Sequence, residues 1–476
     1  MTTAALLAAG TLAAAEPATI RVENGVLVEG MKCLADPSQT YSLYLPRDYS
    51  TDRSWPALLI FDPRGRSVHA AERFLPAAER WGWVVLSSND TRSDGSWEPN
   101  LKAIQALWPE VHERYAVDER RVYAAGMSGG GHVAYLLGKS TNGLAGVIAS
   151  GSRLIEDHLQ GTSYAMFAAA GDRDFNYREM RAVDAFVAEL GNPHRFEPFS
   201  GRHEWLPAEL ASEAVAWMEL AAMQRGLRPR DEAVIDELYA RDLAAARTLE
   251  AEGDLLAARR RYGTIVRSFR GLTDVAAPER EAARLEGSRE VKRARKEERR
   301  WREFEARTRQ RFADAYAWLQ NGEEVPTTAE LRIALGLRSL EKHAAVPGIE
   351  GVTGRRLLSA LYAETSYYVG PPLLREGRWQ AAAAALTVAT EVYDGWGSAA
   401  PTFYNLACAL ARSGDRHPAL EALERAVAEG FRDAEHLRSD PDLYSLHDLA
   451  GFQAIAAGIE GGAAAVPAPP RTPPGR

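Results

Sequence analysis

At Gly126-Met127-Ser128-Gly129-Gly130 the chain spells Gly-x-Ser-x-Gly, directly after the strand-like run Arg121 to Ala125 and ahead of a helical stretch that begins near His132. A serine on so sharp a turn stands clear of a sheet, and glycines at 126 and 130 remove side chains that would collide where strand and helix converge. Its hydroxyl can attack a carbonyl carbon once a base takes the proton. The helix start also directs free amides at the site, so the N–H of Gly129 is the first donor expected for an oxyanion.

A serine hydroxyl is inert at neutral pH without a base, and the base needs an orienting acid. The strand-like run Tyr164 to Ala169 ends in Gly171-Asp172-Arg173-Asp174, which brings two carboxylates to the carboxyl end of a late strand, where catalytic loops lie. The residues themselves leave Asp172 and Asp174 both open. For the base, Phe199-Ser200-Gly201-Arg202-His203-Glu204-Trp205 places His203 in the loop before a final helix. His194 sits at the start of the preceding strand, the wrong end of a sheet, and His132 lies on the helix after the serine. Both read as packing or surface histidines.

These residues need a frame. From Ile20 to about Ala222 short strand-like runs alternate with helical stretches, the pattern of a mostly parallel sheet covered by helices. Val26–Val28 and Tyr41–Leu45 read as leading strands. Trp55–Phe61, Trp83–Ser87, Arg121–Ala125, Ala145–Ala149 and Tyr164–Ala169 read as buried parallel strands, with helices near 68–80, 100–115, 131–139, 178–190 and 208–224.

Ser128, Asp174 and His203 in this setting resemble the α/β-hydrolase superfamily, especially its compact esterases similar to feruloyl esterases and polyhydroxybutyrate depolymerases. The resemblance covers under half of the chain. It implies an α/β-hydrolase fold with helices on both faces, attack by Ser128, proton transfer through His203 held by the acid, an acyl-enzyme, and no metal or organic cofactor. It favours Asp174 as the acid, because Gly-x-x-Asp is the arrangement of such esterases, and leaves Asp172 as the alternative that caps the turn. Where many relatives carry His-Gly, this chain has Asp62-Pro63-Arg64-Gly65. Pro63 has no N–H to give, so the amide of Arg64 is the second oxyanion donor expected. Met127, Trp97 and Trp205 are the expected substrate-lining side chains, the two tryptophans having core packing as the alternative. Only about 40 residues separate the helix that follows Ser128 from Asp174, which leaves no room there for a large lid and predicts an open site.

After Arg225 strand-like runs vanish, and Ala, Leu, Glu and Arg dominate to about residue 457. Gly253, Gly377 and Gly414 are each followed five residues on by Ala258, Ala382 or Ala419, and nine residues on by Tyr262, Leu386 or Leu423. Glycine turns joining paired helices with small residues at close contacts resemble the tetratricopeptide repeat, which implies a surface for a protein partner. The division expected is 1–15 signal peptide, 18–225 α/β-hydrolase domain, 226–457 all-α, tetratricopeptide-like domain and 458–476 disordered Pro/Ala-rich tail.

The composition, 46% hydrophobic and 26% charged over 476 residues, is that of a globular protein, and the net charge of −8 argues against nucleic acid as a partner. The dense Arg/Lys/Glu stretch Arg289 to Arg311 reads instead as a solvated helix with ion pairs at i,i+3 and i,i+4. Cys33 and Cys408 stand too far apart in sequence to build a disulfide framework or a cysteine metal site. Met1 to Ala15 reads as a secretory leader, hence periplasmic or extracellular, although it lacks the usual leading Lys or Arg; without export the protein is cytoplasmic. No later run reaches the roughly 20 apolar residues that span a bilayer. The leading expectation is a serine hydrolase acting on a small-molecule or polymer-linked carboxylic ester. A serine peptidase of the same fold and a repeat scaffold carrying an inactive hydrolase domain are the alternatives.

Overall fold

The strands follow from apolar runs that bury both faces. β3 (Trp55–Phe61), β4 (Val84–Ser88), β6 (Leu144–Ser150) and β7 (Ala165–Gly171) are buried at every position. With β1 (Leu27–Lys32), β2 (Thr40–Tyr44), β5 (Val117–Met127) and β8 (His194–Phe199) they form one eight-stranded sheet, ordered β1-β2-β4-β3-β5-β6-β7-β8. β2 runs antiparallel to β1 and β4, and all other pairs are parallel. The structure, a computed structural model, describes residues 22–141, 143–153, 159–322, 324–395 and 398–461. The leader expected at 1–15 lies outside these, as does nearly all of the tail.

Alternation along the strands feeds two apolar layers. Leu59, Val122 and Ala124 face the layer of the helices Glu98–Arg114, Gly129–Thr141 and Tyr177–Leu190. Ile60, Tyr123 and Ala125 face the layer completed by Phe74, Val215 and Met218. The helix that supplies Met218, Ala208–Gln224, is buried all round from Ala214 to Met223, because its other side (Ala216, Leu220, Met223) packs on Ile235, Leu238 and Phe269 of the helical half. The two halves therefore share a core across residue 225. A desolvated charge network reinforces this seam: Arg195 of β8 pairs with Glu197, Glu213 and Asp242, and Arg261 meets the same three carboxylates. Charges this buried are stable only when paired.

Beyond Arg225 the described residues contain helices and no strand. Gly253, Gly377 and Gly414 take the left-handed turns between helices at φ of 84°, 73° and 91°, and Ala258, Ala382 and Ala419 are fully buried. The charged stretch is a helix, Arg289–Asn321, whose charged faces are largely solvated while a stripe of Val291, Trp301, Glu305, Thr308 and Phe312 is buried; among the described residues, the ion pairs expected within it at i,i+3 and i,i+4 are not the ones it makes. Its key ion pairs reach other elements: Glu298 to Arg260 and Arg181, Glu305 to Arg356, Arg309 to Glu364. Tertiary neighbours outcompete local i,i+4 partners because a desolvated pair is screened less than an exposed one.

Candidate active site

The parallel register lines up the carboxyl ends of the central strands. Phe61 of β3 lies beside Gly126 of β5, Met127 beside Ser150 of β6, Ser150 beside Ala169 of β7, and Gly171 beside Phe199 of β8. The loops after β5, β7 and β8 thus emerge on one edge, and they carry Ser128, Asp174 and His203.

Ser128 is the one non-glycine residue with positive φ among the described residues, at 51°. That conformation costs an L-residue about 1–3 kcal/mol and persists only when its surroundings hold it. Here Ser128 N–H donates to Ser150 O (2.9 Å) and Ser128 O accepts from Gly131 N–H (3.0 Å). A Cβ on Gly126 would lie 2.1 Å from Gly130 O, and one on Gly130 would lie 1.9 Å from Phe61 O, so backbone fills both places. Gly129 opens the helix Gly129–Thr141, and its N–H, in the first turn, has no intrahelical acceptor.

His203 Nε2 lies 2.9 Å from Ser128 Oγ, and His203 Nδ1 lies 2.9 Å from Asp174 Oδ1. Asp174 is fully buried; its Oδ1 also accepts the Asn176 N–H at 2.8 Å, and its Oδ2 faces Gly151. A Cβ on Gly151 (φ 55°) would fall 2.5 Å from Asp174 Oδ2 and 3.2 Å from His203 Nδ1, so the bend after β6 leaves room for the pair. Asp172 sits elsewhere: its Oδ1 accepts the Gly201 N–H at 3.2 Å, tying the two loops together. His194 bonds the Asn192 carbonyl and His132 that of Arg153, both away from the serine.

Three expected neighbours are placed differently. The Arg64 N–H donates to Asp62 Oδ1 at 2.8 Å, and the N–H groups of Gly65 and Arg66 also turn back to Asp62, so the loop closes on its own carboxylate. Arg64 as a second oxyanion donor is corrected accordingly. Trp205 is 3% exposed, packs edge-on against Phe74 and donates its indole N–H to Asp62 Oδ2 at 2.8 Å; it is a core residue. Met127 is buried in the same apolar layer. Trp97, at 36% exposed, stays at the surface at the start of the helix Glu98–Arg114.

Sequence reasoning missed three residues here. Ser93 lies against the serine turn: a Cβ on Gly129 would meet Ser93 Oγ at 2.1 Å, and Ser93 N–H donates to Pro63 O at 2.8 Å. Phe175 lays its ring on His203, centroids 4.1 Å apart. Fully buried Asp62 organises the loop after β3; burial pushes its carboxyl up, but hydrogen bonds from Arg66, Trp205 and the Arg64 amide more than offset this and hold it below the usual range. An aromatic next to the candidate acid was the one signal available, since the other two depend on loops meeting in space.

Among the described residues one group, Cys408, Asp440 and Asp442 in the helical half, gathers metal-ligand types. Asp440 is already engaged by the Tyr404 hydroxyl (2.7 Å) and the Asp442 N–H (2.9 Å), and burial, then Asp440, pushes the Cys408 thiol far up, so the group is a hydrogen-bonded knot. No helix of the described residues is long and apolar enough to cross a membrane.

No protein-family model matches the chain, and no curated protein matches it. Solved structures do. Est1E from Butyrivibrio proteoclasticus is 15% identical, with 42% of this chain and 99% of that one covered and a TM-score of 0.35. An S-formylglutathione hydrolase from Staphylococcus aureus is 14% identical, with 42% and 99% covered and a TM-score of 0.35. Esterase 2 of Thermogutta terrifontis is 17% identical, with 43% and 96% covered and a TM-score of 0.33. The chain is thus similar to each over about two fifths of its own length.

Proposed function

We propose that this protein is a serine hydrolase that cleaves carboxylic esters. The observation that carries the reading is the relay Ser128 Oγ to His203 Nε2 to Asp174 Oδ1, two contacts of 2.9 Å, with the serine held at a strained positive φ. Strain of this kind at a side chain aligned with a buried histidine–carboxylate pair is what a nucleophile needs and a structural turn does not.

In this reading Ser128 Oγ attacks the ester carbonyl carbon while His203 Nε2 takes the hydroxyl proton. Asp174 accepts from Nδ1–H and stabilises the imidazolium without taking its proton. The carbonyl oxygen becomes an oxyanion that accepts from the Gly129 N–H. With the Arg64 amide spent on Asp62, the second donor is the Ser93 hydroxyl beside Gly129. Collapse breaks the ester C–O bond, and the alcohol leaves with the proton from His203. Water then gives its proton to His203, attacks the acyl-serine, and releases the acid and free Ser128.

The helical half is read as tetratricopeptide-like, supported by the three buried alanines that follow glycine turns, and as a candidate surface for a protein partner. Intact-mass analysis after a fluorophosphonate probe tests the hydrolase reading. One adduct, lost in Ser128→Ala, is expected; no adduct on folded protein would favour the scaffold alternative. Matched ester and amide substrates then separate esterase from peptidase.

A further inference from the structure

Four contacts run from the helical half to the loops that surround Ser128, although those loops lie up to hundreds of residues earlier in the chain. Arg356 Nη1 donates to Asp172 O at 2.6 Å, and Arg309 Nη2 donates to Phe175 O at 2.6 Å. Arg202, next to His203, pairs with Asp394 at 2.9 Å. The Tyr367 hydroxyl donates to Asp94, next to Ser93. The site expected to be open is therefore flanked by the helical half on both sides.

Two of these contacts belong to one segment. Arg309 Nη1 also donates to Glu364 Oε1 at 2.7 Å, and Glu364 opens the π-helical turn Glu364–Val369, which carries Tyr367 as well. Short π turns are rare and cluster at functional sites. This one is tied to the acid loop through Arg309 and to the Ser93 loop through Tyr367, so it spans the edge where the relay lies.

Phe175 is the link to chemistry. Its ring packs on the His203 imidazole at 4.1 Å between centroids, and its carbonyl lies just ahead of the helix Tyr177–Leu190. The first amides of that helix bond the carbonyls of Asp174 and Asn176. The Phe175 carbonyl is left to Arg309. A guanidinium that bridges Glu364 and this carbonyl fixes the wall against which the imidazole stands, and so its aim at Ser128.

We propose that Arg309 is a positioning residue of the active site, acting through Phe175 on His203, so that the helical half is a working part of the catalytic machinery. The proposal rests on the serine-hydrolase reading. Arg356 is less suited to a test, because it is buried with Glu305 in a bidentate pair (2.9 and 2.8 Å) whose loss would threaten folding.

The experiment measures kcat and KM on p-nitrophenyl acetate, the fluorophosphonate labelling rate and thermal unfolding for full-length wild type, Arg309→Met, Arg309→Lys, Phe175→Leu and the Arg309→Met/Phe175→Leu double variant. A misplacement near 1 Å costs up to about 100-fold, so Arg309→Met should lower kcat and labelling roughly 10- to 100-fold with KM within about twofold. Arg309→Lys, which retains a donor, should recover part of the loss. The double variant should fall no further than the worse single variant, since both act through one contact. If Arg309→Met does not fold, Phe175→Leu decides: kcat within about twofold of wild type overturns the proposal. Full activity in folded Arg309→Met, or additive losses in the double variant, overturns it while wild-type labelling at Ser128 keeps the hydrolase reading. Failure of wild type to label removes both.

Discussion

Asp62→Asn tests whether a buried carboxylate outside the relay holds the serine and histidine loops together. Asp62 Oδ1 accepts from the Arg64 N–H (2.8 Å) and Arg66 Nε–H (3.0 Å), and Oδ2 from Arg66 Nη2–H (3.0 Å) and Trp205 Nε1–H (2.8 Å). Asparagine has one acceptor oxygen, so its NH2 must face donors on one side. With oxygen toward the Arg64 amide, the buried Trp205 N–H is stranded, which costs about 1–3 kcal/mol. The lost charge on the Arg66 pair adds little, since that arginine side chain is 45% exposed. A total near 2 kcal/mol lowers the unfolding midpoint of a domain this size by about 4–8 °C. Trp205 lies two residues after His203, so kcat should fall as well. The carboxyl is held below its usual range in the fold. Its stabilisation is therefore complete above the unfolded value, about 3.9, and disappears as pH falls through the lower folded value. Circular-dichroism melts at pH 7, 5 and 3, with the gap between wild type and variant nearly equal at pH 7 and 5 and narrowed at pH 3, are the expected result. Equal midpoints at pH 7, or a gap that grows toward acid, would refute the reasoning.

Two further substitutions divide the remaining roles. Asp174→Asn should lower kcat by about 10⁴, the scale for a lost orienting acid, whereas Asp172→Asn should cost under about tenfold because it severs only the Gly201 tie; the reverse ranking in ester turnover would exchange the two. Ser93→Ala should lower kcat about 100-fold with KM little changed, as for removal of one oxyanion donor, and full turnover in that variant would show that the donor lies elsewhere.

What the sequence by itself determined is local. Gly126 to Gly130 demand a strand–turn–helix through sterics among neighbours, so the position of Ser128 and the strands around it were legible without any fold. The helical character after Arg225 was legible for the same reason, from periodicity and glycine turns. Spacing brought His203 to the correct edge of the sheet, but Asp172 and Asp174 sit two residues apart on one turn. Only the approach of the β8 loop decides which carboxylate meets the imidazole. The Arg64 expectation failed because a backbone amide counts as available only if no acceptor reaches it first, and the Asp62 carboxylate does. Trp205 went to the core because its indole N–H found that same carboxylate inside. The ties from Arg309, Arg356 and Tyr367 have no sequence signature at all, because side chains that meet after separations of 134, 184 and 273 residues leave no periodicity to read. Tertiary packing alone joined the helical half to the loops that hold Ser128, Asp174 and His203, since it alone sets which distant surfaces lose their water together.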